Sequence, residues 1–314
     1  MREHIALKDY TVFRIGGPAR YFAQAGSRAE VGRLLRWARE SALPVFILGA
    51  GSNVLIADRG FHGLVIKADL YHCGVKGHTA IAEAGVGLAQ LVNTALRKGL
   101  CGMEWAVGIP GTVGGAVRGN AGCFGGEIKD VLVSVEVVDA ASEELFTLTN
   151  AQCKFHYRHS IFKERPSWLI LEALFALEPG PAADGYALVR EYSARRLETQ
   201  DIGQRCAGCM FKNVLWVRRD IHKPTVLERF PDLRQFSQSY AIPAGYLIDA
   251  IGMKGFRIGE IAVSAKHGNY IVNLGNGTAE QALMLISALK ERVRRAYDIQ
   301  LEEEVQLVGF GVSN

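Results

Sequence analysis

The residues whose types and spacing point most directly to chemistry lie between Gly102 and Gly126, GMEWAVGIPGTVGGAVRGNAGCFGG, which hold nine of the chain's 35 glycines. Glycine accepts left-handed backbone and leaves no side chain between a ligand and the main chain. Successive N–H groups in such a loop form a concave anion site, so Gly111-Thr112-Val113-Gly114-Gly115 could hold a pyrophosphate. Asn120 adds an amide that donates and accepts. The segment fits neither common phosphate signature: no lysine follows a GxxxxG, and no GxGxxG opens a plain helix after a strand. A glycine-rich connection between strands is the bland alternative. A second small-residue loop, Gly49-Ala50-Gly51-Ser52-Asn53, separates the strand-like runs PVFIL and VLIA. A tight turn would account for that loop alone, but two such loops in one chain favour a shared dinucleotide.

Cys206 and Cys209 form a CxxC. Such a pair can close a redox disulfide or supply half a zinc site. Zinc needs two more ligands; no second CxxC exists, and His156, His159 and His267 are not at metal-ligand spacing, so no metal is expected. Cys73, Cys101, Cys123 and Cys153 read as small buried or half-buried residues. Arg195-Arg196, Arg292 and Arg294-Arg295 read as exposed charges on helices.

Several elements must position these loops. Thr11 to Ala19 reads as a strand-like run ending in a turn. Ser27 and Glu30 make a capping box ahead of the amphipathic run VGRLLRWARE. Pro44–Leu48 reads as a short buried strand, His78–Ala84 as a strand and Leu88–Lys98 as a helix. Val131–Val138, Leu145–Leu148 and Trp168–Leu177 are β-like. Pro179-Gly180-Pro181 with Ala182-Ala183-Asp184-Gly185 reads as a linker. Tyr186–Leu197 reads as a basic helix, Leu247–Ile251 as helical and Glu260–Leu274 as strands. Thr278 and Gln281 box the start of a long helix, and the chain closes on a strand at Val305–Val308. The expected architecture is two β-rich lobes followed by an α+β lobe.

Length and composition bound the answer. The chain has 314 residues, 49% of them hydrophobic and 22% charged, as in an ordinary packed protein of two or three domains. A net charge of +4 suits anionic small molecules and does not call for nucleic acid. No apolar run is long enough to span a bilayer, and the N-terminal segment lacks the apolar core of a signal peptide. The expectation is a cytoplasmic enzyme without membrane insertion and without an obligate protein partner. Six cysteines in a chain this large do not make a disulfide framework.

Taken together in order, FRIGGPA, LGAGSNVLIAD, GIPGTVGGAVRGNAG, YRHSIFK, GCMFKN, IGEIAVSAKHGNYIVN and EEEVQLVG resemble segments of the UDP-N-acetylenolpyruvoylglucosamine reductase family, flavoenzymes of peptidoglycan precursor synthesis. The likeness covers nearly the whole chain. It implies an α+β fold: a vanillyl-alcohol-oxidase-type FAD-binding domain of two lobes, here 1–73 and 74–180, plus a C-terminal α+β substrate-binding domain, 185–314. The short spacing between YRHSIFK and GCMFKN implies the subtype without an extra substrate-covering loop. The implied reaction has two halves. NADPH reduces noncovalently held FAD, and the flavin then reduces the enolpyruvyl group of UDP-N-acetylglucosamine enolpyruvate to the lactyl ether of UDP-N-acetylmuramate.

The resemblance assigns FAD contacts to Gly49, Gly51, Ser52 and Asn53 of the first loop. From the second it takes Gly108, Gly111, Thr112, Gly114, Gly115, Asn120 and Gly122. Ala50 replaces a frequent family glycine and fits only at negative φ. Arg158 matches the arginine that stabilises the anionic intermediate, a task suited to a forked, permanently charged group. Glu304 matches the glutamate beside the same carboxylate. The residue before it is Glu303 where proline is usual, so a one-position slip within Glu302–Glu304 stays open. Cys209 stands where most members carry the serine that donates a proton to the carbanion. Lys212, Asn213, Tyr246, His267 and Asn269 are carried over as substrate-binding. The reading expects the Cys209 thiol, the Arg158 guanidinium and the Glu304 carboxyl to gather over the flavin. The competing readings are another FAD-dependent oxidase or dehydrogenase of the same fold, and a nucleotide-binding protein without activity.

Overall fold

A capped amphipathic helix sets the first layer of the structure. The computed structural model describes residues 1–311, and these fall into two contact units. The first holds 1–6, 18–52 and 60–198; the second holds 7–17, 53–59 and 199 onward. In the first unit, Ser27 accepts from the Glu30 N–H and opens the helix Arg28–Glu40. The Glu30 carboxylate reaches back to the Gly26 N–H at 2.8 Å, one residue earlier than a standard box. The helix buries Val31, Leu35 and Ala38 against Leu64 and Ile66. These last belong to a four-stranded sheet ordered Arg2–Ala6, Pro18–Ala25, Phe61–Ala68, Val45–Leu48. The first pair is antiparallel and the others are parallel.

A second, antiparallel sheet of the same unit runs Leu145–Thr149, Leu132–Asp139, Trp168–Ala176, Thr79–Glu83, Cys73–Lys76. Residues of Trp168–Ala176 alternate between buried and half-buried, as a strand with one covered face must. Its Ala173 and Phe175 join Leu91, Val92, Val113 and Val117 in one core, which fixes the helix Leu88–Leu96 and the helix Val113–Gly119 within the glycine-rich segment.

Three glutamates lie in a row across this sheet, Glu136 opposite Glu172 and Glu172 opposite Glu83. Like charges in such positions repel. Arg28, from the first helix, answers all three, at 2.6 Å to Glu136, 3.0 Å to Glu172 and 3.8 Å to Glu83. Replacing Arg28 by alanine is expected to cost about 1–2 kcal/mol, since the pairs are part-exposed but the repulsion left behind is cumulative. Urea denaturation checks this. The deficit should shrink at high salt, because added ions screen the three carboxylates from one another.

In the second unit, Cys206–Cys209, Tyr270–Asn273, Ile261–Val263 and Arg257–Ile258 form an antiparallel sheet in that order. The long helix Ala279–Tyr297 packs Ala282, Leu285, Ile286, Leu289 and Val293 into a core with Ile261, Val263 and Ile271. Its N-terminus is doubly capped. Thr278 and Gln281 form the expected box, and the Asp58 carboxylate accepts from Ala279 N–H at 2.8 Å and Glu280 N–H at 3.0 Å. The closing strand, Gln306–Val308, pairs in parallel with Val54–Ile56.

The α+β expectation is met, and three local readings change. Thr11 to Phe13 is a turn, after the 3-10 helix Leu7–Tyr10. Phe13 and Ile15 are apolar at strand spacing because both enter the core, yet Thr11 Oγ1 donates to the Ile15 carbonyl at 3.2 Å and folds the chain back. Ala182 to Gly185 is the first turn of the helix Ala182–Thr199. Its Gly185 belongs to the stretch that reads as a linker, but a Cβ there would sit 2.3 Å from Leu96, so glycine is needed for close packing. Pro44 to Leu48 is a strand at Val45–Leu48, with Leu48 alone fully buried.

Candidate active site

In the first unit, the two small-residue loops touch. A Cβ on Gly49 would fall 2.6 Å from Thr112 Oγ1, and one on Gly111 would fall 3.3 Å from Ser52 Oγ. Thr112 caps the helix Val113–Gly119 by accepting from the Gly115 N–H. Gly111 lies at φ +152, where a side chain would be strained. Side-chain-poor main chain is therefore presented from both loops side by side, with Ala50, Gly108 and Gly115 exposed. Ala50 is absent from the positive-φ residues, so alanine is tolerated there. This is the surface a pyrophosphate needs. Gly51 takes φ +65 and Gly108 φ +72, while Gly114 packs against Ala84. Asn53 falls in the second unit, where its side chain donates to the Glu304 carbonyl at 3.4 Å.

The YRHS segment is fastened to the end of the glycine-rich loop. His156 and His159 exchange backbone hydrogen bonds at 3.1 Å across a two-residue turn, Tyr157-Arg158. Arg158 holds φ +54, a conformation that costs a non-glycine residue energy and that the surroundings must enforce. They do so through three bonds: Asn120 Nδ2 to the His156 carbonyl at 3.0 Å, Arg158 Nη2 to the Gly122 carbonyl at 2.8 Å, and Ser160 Oγ to the Arg118 carbonyl at 2.6 Å. The Arg158 guanidinium also lies 5.1 Å from the Tyr157 ring centre. Asn120 is fully buried. Its amide also bonds Glu127 Oε2 and the Lys129 N–H, so it shapes the loop.

In the second unit, the residues that follow Cys209 are held in register with the Glu302–Glu304 run by backbone. The Glu304 N–H donates to the Met210 carbonyl at 2.8 Å, and the Lys212 N–H donates to the Glu302 carbonyl at 2.9 Å. Phe211 sits opposite Glu303 in this bridge. On its other side Phe211 is gripped by Asn269, whose Oδ1 accepts from the Phe211 N–H at 2.9 Å and whose Nδ2 donates to the Phe211 carbonyl at 2.7 Å. Asn269 is 2% exposed, so its amide serves this clamp. Asn269→Ala would strand two buried peptide groups and is expected to cost about 2–4 kcal/mol, read as a lowered urea midpoint. Asn213 likewise accepts from the Ala244 N–H at 3.2 Å. The Tyr246 hydroxyl donates to Asp232 at 3.1 Å, and Lys212 pairs with Glu302 at 3.3 Å.

His267 packs over Gly245 and against the Tyr270 ring at 4.6 Å. Its Nδ1 accepts from the Asn269 N–H at 3.1 Å, which leaves Nε2 to carry the proton of the neutral ring. Burial lowers its pKa below the ordinary 6.5, against the opposing pull of Asp201. The unfolded chain therefore takes up this proton first as pH falls. Stability should drop as pH descends from about 6.5 towards the folded-state value. His267→Gln should flatten that part of the pH profile of the urea midpoint.

Comparison with known proteins decides the family. Residues 19–149 match the family described as FAD binding domain, and residues 200–308 match that described as UDP-N-acetylenolpyruvoylglucosamine reductase, C-terminal domain. The UDP-N-acetylenolpyruvoylglucosamine reductase of Caldanaerobacter subterraneus subsp. tengcongensis is 38% identical over 96% of this chain and 92% of its own. The chain belongs to the UDP-N-acetylenolpyruvoylglucosamine reductase family. The Solibacter usitatus reductase is 36% identical over 96% of this chain and 95% of its own. The crystal structure of UDP-N-acetylenolpyruvylglucosamine reductase from Thermus caldophilus superposes with a TM-score of 0.77, at 31% identity and 98% coverage of both chains. Reductases of this family are flavin-dependent oxidoreductases, and the touching glycine loops of the first unit lie within the matched FAD-binding region.

One reductase residue escaped sequence reasoning. Arg196 was expected among exposed helix charges, but it is 5% exposed. Its stem supports Gly108, where a Cβ would meet it at 2.7 Å. Its guanidinium lies 5.3 Å from the Phe124 ring, which stacks on Tyr192 at 4.5 Å. Nothing in the spacing of two adjacent arginines separates the buried one from its exposed neighbour Arg195. Among the described residues, no helix is long and apolar enough to cross a membrane, and no group of three or more His, Cys, Asp or Glu gathers as a metal site.

Proposed function

We propose that this chain reduces UDP-N-acetylglucosamine enolpyruvate to UDP-N-acetylmuramate in peptidoglycan precursor synthesis, with NADPH as hydride donor and noncovalent FAD as carrier. The observation that carries the reading is the backbone clamp that joins the segment directly after Cys209 to the Glu302–Glu304 run, with Met210 paired to Glu304, in a chain 38% identical to a reductase of that name. Bound FAD supplies two-electron chemistry, taking hydride from a nicotinamide and passing it to an activated alkene.

The chain's own residues supply the rest. Gly49, Gly51, Ser52, Asn53, Gly108, Gly111, Thr112, Gly114 and Gly115 would hold the cofactor's pyrophosphate through backbone, on a loop shaped by Asn120 and Gly122. Arg158 would grip the substrate carboxylate as negative charge spreads into it, in a conformation set before substrate arrives. Cys209 would deliver the proton to the carbon beside that carboxylate, completing the saturated lactyl ether. Glu304, protonated or sharing a proton, would donate a hydrogen bond to the growing enolate. Lys212, Asn213, Tyr246, His267 and Asn269 would bind or frame the substrate, Asn269 by holding Phe211.

The same reading divides the chain into lobes at 1–73, 74–180 and 185–314, each carrying one of the three larger sheets. All six cysteines are thiols, which fits a cytoplasmic enzyme. The test is direct. Purified protein should be yellow and release FAD on denaturation. NADPH oxidation should require UDP-N-acetylglucosamine enolpyruvate and yield the product two hydrogens heavier. Oxidation of NADPH with oxygen alone at the same rate would instead favour an oxidase of this fold.

A further inference from the structure

The CxxC segment is the strand Cys206–Cys209, and its pairing with Tyr270–Asn273 is irregular. Cys206 lies opposite Val272 and Cys209 opposite Tyr270. Three steps on one strand therefore match two on the other, which is a β-bulge, and Gly208 supplies left-handed backbone at φ +76. The bulge has a consequence for side-chain direction. In a regular strand, residues three apart face opposite sides of the sheet. Val272 and Tyr270 are two apart and share a face, so the cysteines opposite them share it too. Packing agrees: Cys206, Ala262, Tyr270 and Val272 form one small apolar cluster, with Cys209 against it. The partner residues Tyr270 and Val272 are two strand steps apart, about 6.6 Å, so the bulge brings the cysteines opposite them towards the roughly 4.4–6.8 Å Cα separation that a disulfide accepts.

We propose that Cys206 and Cys209 are a peroxide-responsive thiol pair, in which Cys209 is oxidised first and Cys206 closes a reversible disulfide that withdraws the Cys209 proton donor. The proposal rests on the reading of Cys209 as that donor. Cys209 is the half-buried member and Cys206 the buried one, at 7% exposure, which sets the order of attack. In the first step the Cys209 sulfur attacks hydrogen peroxide. An S–O bond forms, the O–O bond breaks, and water leaves with the thiol proton accounted for. In the second, the Cys206 sulfur attacks the sulfenic sulfur. The S–S bond forms, the S–O bond breaks, and a second water leaves. Two thiols and one peroxide give one disulfide and two waters. Burial also raises the Cys206 pKa, partly offset by a backbone hydrogen bond from Gly208, so closure should quicken as pH rises.

The test treats holoenzyme with hydrogen peroxide, alkylates remaining thiols, and digests with trypsin. Cleavage after Arg205 and Lys212 leaves both cysteines in one peptide, CAGCMFK. The expected result is that peptide unalkylated and two hydrogens lighter, with activity lost in step and restored by dithiothreitol. Cys206→Ala should keep the untreated activity, lose it to peroxide, and recover little with dithiothreitol, because the sulfenic acid of Cys209 goes on to the sulfinic acid. Recovery of CAGCMFK with both thiols alkylated after peroxide would overturn the proposal. So would equal recovery of wild type and variant. The peptide mass does not depend on catalysis. A disulfide that forms without loss of activity would defeat the donor role and the switch built on it, while leaving the disulfide itself established.

Discussion

Cys209→Ala is expected to leave NADPH-driven bleaching of the flavin at the wild-type rate and to slow its reoxidation by substrate about 10²–10⁴-fold, the range of a general acid. Stopped-flow absorbance separates the two half-reactions. The asymmetry follows from where the thiol sits. Cys209 ends a strand whose next three residues are locked, Met210 to Glu304, Phe211 to Asn269 and Lys212 to Glu302. Removing one sulfur atom disturbs none of these bonds, so the variant should fold and take up FAD. Cys209→Ser should recover much of the lost rate, since a hydroxyl can carry the same proton. Equal slowing of both half-reactions, or of neither, would remove Cys209 from the proton-donor role.

Gly49→Val should give a colourless protein of lowered stability. The first added carbon would meet Thr112 Oγ1 at 2.6 Å, and that oxygen caps the helix Val113–Gly119. The substitution therefore pries apart the two loops proposed to share the pyrophosphate and disrupts a cap worth about 1 kcal/mol. Flavin content per chain after gel filtration checks it, with a loss of at least about tenfold in FAD affinity expected for a displaced backbone contact of about 1.4 kcal/mol. Retained yellow colour at wild-type stoichiometry would place the cofactor elsewhere.

The fold class was legible because the strongest local signals were also global ones. The boxes at Ser27 and Thr278 mark helix starts that form where expected. The alternation in Trp168–Ala176 is that of a strand with one buried face. What misled were residues whose role depends on a distant neighbour. Gly185 reads as part of a linker until Leu96 is seen against it. Phe13 and Ile15 alternate like a strand because both reach one core through a turn. Within the site, the glycine loops were visible as composition, but their contact through Gly49 and Thr112 was not. Asn120 was read from its donors and acceptor and Asn269 from the family resemblance, and neither route could reveal that their amides bond groups of the chain itself. Arg196 carried no signal, since nothing near it in the chain announces burial.

The second unit gathers residues 7–17 and 53–59 into a body completed only by the C-terminal third of the chain. Val54–Ile56 finds its partner strand at Gln306–Val308, and Asp58 caps a helix that begins at Ala279. During vectorial synthesis these early segments emerge from the ribosome roughly 250 residues before the strand they pair with. At about 5–20 residues per second they wait on the order of 10–50 s. Phe13, Ile15 and Leu55, all core residues of the finished unit, are left uncovered over that interval and make the nascent chain a natural client for a holding chaperone. A fragment begun near residue 200 would lack all three, and should come off the ribosome insoluble.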